Sequence, residues 1–319
     1  MRIIIAIFIL AASVLAYASL TWFAVPPADD PAPVVQLPES CREFARQADA
    51  IRPLHHKKGP PQPGDWLETQ TEGGQTFAQF VQRHGAEPLR ERFAFIDIQP
   101  LGELDDVQRR LVERTAQCLE RFYGVTVRLR EAVPLGDPPE RAHRQRKGEE
   151  QVLTTWILDT HLKPTRAEDS LAVIGLVTCD LWTDDLNWVF GAASLSDRVG
   201  VWSLHRYGDP HAGDDAFRQT LLRTLKVAVH ETGHMLGIPH CPTYECRMNG
   251  SRSLEELDRQ LFEFCPDCQA KIWWSCQTDA AHRYRELIDF ARGENLLPQA
   301  DFWQRELDCL EPQQQTATN

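Results

Sequence analysis

Positive charge is scarce in this sequence: 34 Lys and Arg residues stand against 46 Asp and Glu, which gives a formal net charge of -12 and a pI near 5.4. Nucleic-acid-binding proteins need clustered Lys and Arg to displace counterions, so no nucleic-acid partner is expected. The basic stretch 141–147 follows a pair of prolines and is interpreted as a solvated loop. Internal repeats are absent as well. The 319 residues, 42% hydrophobic and 25% charged, have an ordinary globular composition for one large or two small domains.

Charge is also missing from a long stretch near the N-terminus, residues 3–25, which is rich in Ile, Leu, Ala and Phe. Its 23 residues can span a membrane as a helix, with Trp22 near the far end as an interfacial anchor. Ala16 and Ala18 instead offer the small-x-small pattern of a signal-peptide cleavage site. Both alternatives stay open, with the uncleaved membrane anchor favoured. Both predict an exported protein, periplasmic or extracytoplasmic, that meets a membrane only through this segment.

The signal peptide or membrane anchor is expected at residues 1–25. Composition also predicts the domain boundaries that follow it. Residues 26–39 are rich in Pro, Ala and Asp and predict an extended linker, and residues 312–319 predict a polar tail. The chain between them, 40–311, is expected to form the folded domain. We expect an N-terminal subdomain at 40–237 and a smaller, helical C-terminal subdomain at 238–311.

Hydrophobic periodicity predicts an α+β domain in which helices pack on a mixed β-sheet. Strands are expected at 92–98, 125–133, 171–177, 189–195 and 199–204, and helices at 40–51, 105–123, 149–162, 221–236, 280–292 and 301–310. A further short helix is expected to start at Ser253, where Glu256 completes a capping box. Residues 54–75 contain Pro and Gly clusters and are expected to be mostly loop, with His55 and His56 exposed.

The densest chemistry lies in the stretch HETGHMLGIPHC, which begins at His230. On the predicted helix, His230 and His234 lie four residues apart on one face and can reach one ion. Gly237 suits the left-handed position that ends a helix, and the chain can then turn to bring in His240 as a third ligand. Three imidazoles leave one position open for water, as in catalytic zinc sites. Glu231 lies next to this ion without being a ligand.

Four cysteines follow in two close pairs, Cys241 and Cys246, then Cys265 and Cys268. Such a set can close a tetrahedral structural zinc site or form two disulfides in an exported protein. The two-residue gap between Cys265 and Cys268 favours zinc.

Five more cysteines lie outside this cluster: Cys41, Cys118, Cys179, Cys276 and Cys309. In an oxidising compartment, at least one disulfide among them stays an open alternative. Cys179, in the most apolar strand, is expected to be the buried thiol.

Together these residues resemble the signature of the archaemetzincins, a branch of the metzincin zinc peptidases with a second, four-cysteine zinc site. The likeness covers the chain from about residue 65 to residue 309 and includes residues 122–124 (FYG), 188–191 (WVFG), 193–195 (ASL) and 206–208 (RYG). The resemblance implies a metzincin-like zincin fold with an active-site helix and two Zn²⁺ ions per chain. It also implies that Met248 forms the Met-turn beneath the catalytic zinc. Known members are soluble intracellular proteins, so the apolar N-terminus departs from their pattern.

The resemblance further implies a strand that binds extended substrate, formed by Gly191, Ala192, Ala193 and Ser194. Edge strands offer unpaired backbone groups, so a peptide can add as another strand whatever its sequence. A hairpin that only completes the sheet is the alternative.

The site predicts metal-assisted hydrolysis of a peptide bond in a peptide or protein substrate. Zinc held by the three histidines lowers the pKa of its water towards ~7, and Glu231 takes the proton and passes it to the departing amine. The alternatives are a catalytically weak or inactive zinc-stabilised binding protein, or a hydrolase of a non-peptide amide. Glu231 argues against the binding protein, because no ligand role needs it. Endopeptidase and aminopeptidase action both stay open, and Asp184 or Asp197 could hold a substrate amine.

Export is testable with a reporter fused after Ser40. An uncharged segment of this length engages the secretion machinery, so we expect the reporter outside the cytoplasm. A reporter active in the cytoplasm would refute this prediction.

Overall fold

The computed structural model describes residues 37–311 apart from positions 86, 185 and 195. The predicted signal or membrane segment at 3–25, most of the predicted linker and the tail at 312–319 lie outside these residues. In the described part, no helix combines the length and the apolar character that crossing a membrane requires.

The described chain begins and ends with helices, and its strands lie between residues 95 and 203. The α-helices are α1 (Arg42–Ile51), α2 (Trp66–Thr69), α3 (Phe77–His84), α4 (Asp106–Tyr123), α5 (Thr154–Ile157), α6 (Asp214–Met235), α7 (Leu254–Arg259), α8 (Pro266–Cys276), α9 (Ala280–Gly293) and α10 (Leu297–Leu310). The strands are β1 (Phe95–Pro100), β2 (Thr126–Leu129), β3 (His143–Arg146), β4 (Glu149–Leu153), β5 (Ser170–Val177), β6 (Asp180–Thr183), β7 (Leu186–Val189), β8 (Gly191–Ser194) and β9 (Val199–Ser203). A π-helical turn, Leu158–Leu162, continues α5.

The main sheet has the strand order β2-β1-β5-β9-β8. Strands β2, β1, β5 and β9 are parallel, whereas β8 runs antiparallel to β9 and forms an edge. Strand β5 is buried along its whole length, as a central parallel strand covered on both faces should be. A second sheet has the order β3-β4-β6-β7. The predicted α+β class with mixed sheets and packed helices is confirmed.

Helices α4 and α6 pack against each other and against the main sheet. Helix α4 begins at a capping box formed by Asp105 and Gln108 and ends at Gly124, whose φ of +62° is left-handed. Helix α6 is buried along most of its length, including Leu221 and Leu225. Helix α6 contacts β8 and β9, and the side chain of Met235 in its last turn fills the space beside Gly200 in β9.

The helix predicted at 149–162 is wrong over its first third. Glu149–Leu153 is strand β4, which pairs with β3 and β6, and helical structure starts only after it. Residues 149–153 form a strand because of contacts with a distant part of the chain. For example, Gln151 Nε2 donates to Asp180 Oδ2 in β6 at 2.8 Å. The single strand predicted at 189–195 is also divided, because β7 belongs to the second sheet and β8 to the main one.

His55 is buried, so the expectation that it is exposed is wrong. Its Nε2 lies 2.8 Å from Oε1 of Glu306 in α10. Burial lowers the pKa of His55 and raises the pKa of Glu306 to about 8. Burial therefore disfavours the charged form of both groups, and a C-terminal helix covers the N-terminal segment. His56 is exposed, as expected.

All nine cysteines lie in the described residues, and each is a free thiol. The alternative of a disulfide outside the cluster is therefore not realised in this structure. Cys179 is partly exposed after the end of β5, whereas Cys118 and Cys276 are buried. Helix packing buries the latter two, so the choice of Cys179 as the buried thiol was wrong.

An ion pair between a buried carboxylate and partly exposed arginines joins β1 to β2 and supplies a test of the main sheet. Asp97 accepts from Arg128 Nε at 2.7 Å and from Arg130 Nε at 3.3 Å. Burial alone would raise the pKa of Asp97, but hydrogen bonds from Arg128 and Ser170 and the charge of Arg130 hold it below its ordinary value. Because the folded pKa lies below the unfolded one, this stabilisation is present above about pH 4 and is lost as pH falls through the folded pKa.

We expect Asp97→Asn to lower the free energy of unfolding by about 1–3 kcal/mol at pH 7, because two arginines then face a neutral amide. Urea unfolding of both proteins should show the difference shrinking below about pH 4. Asp308→Asn, at an exposed position in α10, is the matched control. Identical unfolding midpoints for the two variants at pH 7 would contradict the assignment.

Candidate functional site

The last turns of α6 carry His230 and His234 on one face, as predicted. Beyond the helix, Gly237 adopts a φ of +84°, and the chain reverses there. The reversal brings His240 back to the two helical histidines. The ring centroids lie 4.5, 4.9 and 5.2 Å apart, and one nitrogen of each ring lies within 4.8 Å of the others.

In the two helical imidazoles, Nδ1 is engaged by a backbone acceptor. His230 Nδ1 lies 2.8 Å from the carbonyl oxygen of Arg247, and His234 Nδ1 lies 2.8 Å from that of Ile238. Because a carbonyl oxygen only accepts, each Nδ1 carries the proton and each Nε2 presents a lone pair. The two Nε2 atoms lie 3.0 Å apart, yet neutral rings in this tautomer cannot hydrogen-bond to each other.

His240 has a partner of another kind. Its Nδ1 lies 2.8 Å from Oε1 of Glu72, in the loop between α2 and α3. Trp66 Nε1 donates to the same oxygen at 2.7 Å. Burial alone would raise the pKa of Glu72, but the hydrogen bonds from His240 and Trp66 hold it below its ordinary value. Nothing in the local sequence marks Glu72, which lies 168 residues before His240 in a predicted loop.

The three imidazoles fit a zinc ion. Burial lowers the pKa of His230 and that of His234, the latter to about 3, so both rings stay neutral and available as ligands. With Zn–N bonds of about 2.1 Å, two ligands of a tetrahedral ion lie roughly 3.4 Å apart. The Nε2 atoms of His230 and His234 are 3.0 Å apart, so a small outward movement of the rings would admit the ion.

Glu231 lies next to this group but is not one of the converging ligands. Its side chain is half-buried, deep among protein atoms but with a path to solvent. Burial raises the pKa of Glu231 to about 7, against the opposing effect of His240 and Arg247. A dication on the histidines would lower this value. A carboxyl group next to such a site can accept a proton and release it again.

Met248 is fully buried against the same helix. Its Sδ lies 2.6 Å from the position that a Cβ on Gly233 would take. Because Gly233 lies between the two helical histidines, a side chain there would push the helix and Met248 apart. Met248 thus supports the turn that carries the candidate ligands, and its Met-turn role stays a prediction.

The second group consists of Cys241, Cys246, Cys265 and Cys268, all buried, with sulfur atoms within 4.8 Å of one another. The sulfurs of Cys241 and Cys265 lie 3.7 Å apart. A disulfide needs about 2.05 Å, whereas two thiolates on a tetrahedral zinc with Zn–S bonds of about 2.3 Å lie roughly 3.8 Å apart. The backbone N–H of Cys265 also donates to Cys246 Sγ at 3.1 Å. The arrangement fits a closed, four-ligand zinc site.

The segment 241–249 connects the histidine group to the cysteine group, because it contains Cys241, Cys246 and a hydrogen-bond acceptor of His230. Arg247 supplies the carbonyl that accepts from His230. At the start of the segment, Cys241 N donates to the carbonyl of Met248 at 2.8 Å. A displacement of the cysteine group is therefore passed to the acceptor behind His230.

Strand β8, formed by Gly191, Ala192, Ala193 and Ser194, is an edge of the main sheet, as predicted. Among the described residues it pairs with β9 alone. All four residues are partly exposed, and the strand lies beside α6. Its outer edge can accept a further strand.

The two aspartates considered as holders of a substrate amine lie elsewhere. Asp197 is already engaged, since its carboxylate accepts from Lys163 Nζ at 2.8 Å and from Ser194 Oγ at 2.7 Å. Asp184 is exposed and does not join the converging histidines. Neither residue is brought into the candidate site.

Comparison with known proteins places this geometry in a family. A sequence profile of peptidase family M54 matches residues 150–273. The archaemetzincin of Thermococcus kodakarensis is 31% identical over 179 residues, which covers 55% of this chain and 93% of that protein. The chain belongs to the archaemetzincin family. Human archaemetzincin-2 is 29% identical over 281 residues, covering 77% of this chain and 78% of its own length. A crystal structure of the Methanopyrus kandleri archaemetzincin is 29% identical, with a TM-score of 0.48, and covers 58% of this chain and 97% of that one.

This archaemetzincin is therefore a zinc metallopeptidase, a hydrolase that acts on peptides or proteins. The resemblance predicted from the motif is confirmed. The residues that match the M54 profile contain the three histidines, the four cysteines and Glu231. Glu72 lies outside the matched range.

Proposed function

We propose that His230, His234 and His240 hold a catalytic zinc ion, and that Glu231 is the general base in hydrolysis of a peptide bond. The observation that carries this proposal is the convergence of three imidazoles whose Nδ1 atoms are each fixed by an acceptor. Four protein ligands would close the site, whereas three leave a position for water or substrate. Glu231 follows His230 in the chain, lies close enough to His240 for their charges to interact, and is not one of the converging ligands.

Zinc bound by the three histidines would supply Lewis acidity, lowering the pKa of water and polarising the substrate carbonyl. Glu231 takes a proton from the attacking water and later gives it to the nitrogen of the departing amine. A C–O bond forms, the C–N bond breaks, and Glu231 returns to its starting state. The edge of β8 holds the substrate backbone extended through main-chain hydrogen bonds.

The four cysteines are proposed to hold a second, structural zinc ion. Structural zinc contributes on the order of 10 kcal/mol to the folding of small modules. Here it would fix the segment 241–249, and with it the carbonyl of Arg247 that accepts from His230. Cys241, Cys246, Cys265 and Cys268 would thus affect catalysis only through the position of His230.

A zinc-stabilised binding protein without activity is the competing function. Such a protein needs the seven ligands but not Glu231. Hydrolysis requires a general base, and Glu231 supplies a carboxyl group next to His230 without being one of the converging ligands. Its presence favours catalysis.

We expect Glu231→Gln to reduce peptide hydrolysis by at least about 100-fold, because the base is lost while the shape is kept. Zinc content should not change, since no ligand is removed. Digestion of a peptide library, read by mass spectrometry, measures the activity and reports the cleavage preference. Glu255→Gln, at an exposed position in α7, is the control. Activity of Glu231→Gln within ten-fold of wild type would reject the role.

For the second zinc, we expect two zinc ions per native chain and about one in Cys265→Ser, because loss of one thiolate opens the four-ligand site. Elemental analysis of the purified protein gives the count. Cys309→Ser, which changes a half-buried thiol in α10, should keep two. One zinc in the native chain, with the four cysteines oxidised in pairs, would rule the site out.

A further inference from the structure

The third histidine is held differently from the other two. His230 and His234 donate to backbone carbonyls that lie within 17 residues of them. His240 donates to the side chain of Glu72, which lies 168 residues away. The side chains of His240 and Glu72 are 20% and 21% exposed, so this contact lies closer to solvent than the buried ring of His230.

Glu72 is itself fixed by a stretch of chain that we call the arm, residues 65–76. Trp66 Nε1 donates to the Glu72 oxygen that also accepts from His240. The Trp66 ring meets the His240 ring edge to face, with centroids 5.1 Å apart. The carboxylate and the ring of His240 are therefore held by the same indole.

The arm is anchored to the segment that follows the histidines. Trp66 N donates to both carboxylate oxygens of the buried Glu256, at 3.0 and 3.1 Å. The Trp66 ring also fills the space that a side chain on Gly250 would need. At the other end of the arm, Lys271 Nζ donates to the carbonyl of Gln75 at 2.6 Å. These contacts fix where Glu72 lies relative to His240.

We propose that Glu72, held by Trp66, is a positioning residue of the catalytic metal site, and that the arm orients His240 for metal binding through this contact. The proposal rests on the proposed catalytic zinc. A carboxylate behind a ligating histidine fixes its tautomer and ring orientation and raises the basicity of the ligating nitrogen. Loss of such a partner typically weakens metal binding by about 10- to 100-fold. The cysteine site, which the arm does not complete, should be unaffected.

The test measures the zinc dissociation constant of the histidine site in the full chain, by competition with a chelator that leaves the cysteine-bound zinc in place. Glu72→Ala should weaken this binding by about 10- to 100-fold. Glu72→Gln should fall between wild type and Glu72→Ala, because its amide oxygen still accepts but carries no charge. Glu68→Ala is the control on the same arm. The carboxylate of Glu68 accepts a hydrogen bond from Gly64 N, so this variant should bind zinc as wild type does.

Trp66→Phe tests the hydrogen bond from the indole to Glu72, since it keeps an aromatic ring and removes the N–H donor. We expect zinc binding about three- to ten-fold weaker, as for one lost hydrogen bond. The double variant with Glu72→Ala should bind no more weakly than Glu72→Ala alone, because both changes break one chain of contacts. Additive losses would overturn the role of Trp66. If Glu72→Ala does not fold, Glu72→Gln and Trp66→Phe decide the question.

Two further readouts separate positioning from general stability. The thermal midpoint of the chain without zinc at the histidine site should be the same for wild type and Glu72→Gln, whereas the zinc dissociation constants differ. A zinc dissociation constant for Glu72→Ala within two-fold of wild type would overturn the inference. His240→Ala must lose this zinc; if it binds zinc as wild type does, the proposed catalytic site itself is wrong.

Discussion

The approach of unprotonated imidazole nitrogens is the constraint on which the rest of the site depends. The Nε2 atoms of His230 and His234 lie 3.0 Å apart, and both present lone pairs because their Nδ1 protons are bound to carbonyls. Lone pairs at this distance repel unless a cation lies between them. The helical spacing, the turn at Gly237 and the acceptor behind each ring all hold this convergence in place.

The four thiols of Cys241, Cys246, Cys265 and Cys268 also bring potential ligand atoms close together, and all four are buried. Hydrogen bonds from the three neighbouring thiols lower the pKa of Cys241, while burial raises the pKa of Cys246 and that of Cys265. Burial disfavours a thiolate that has no counter-charge, whereas a zinc ion would stabilise the ionised form of its thiol ligands. The segment 241–249 carries Cys241, Cys246 and the carbonyl behind His230, so whatever fixes these two thiols also fixes the acceptor of His230.

The sequence predicts the candidate ligands well because local rules govern them. His230 and His234 follow the four-residue spacing of a helix, and one left-handed glycine turns the chain towards His240. Strand β5 was predicted for a similar reason, since a continuous apolar run is enough to indicate a buried strand.

The features that the sequence does not predict depend on distant partners. Glu72 meets His240 across 168 residues, and the buried His55 meets Glu306 across 251. Strand β4 depends on pairing with β3 and β6 rather than on its own periodicity. Neither a spacing nor a periodic pattern records such contacts, because they form only when the helices and sheets have packed.

The three candidate ligands consequently differ in how firmly the fold holds them. His230 and His234 lie on a buried helix and donate to backbone carbonyls, which can move only if the backbone does. His240 follows a turn and donates to a carboxylate that a separate, partly exposed arm supplies. A change in how the arm packs would reach the metal through His240 first. The third ligand is therefore the point at which the N-terminal part of the chain can affect the chemistry of the site.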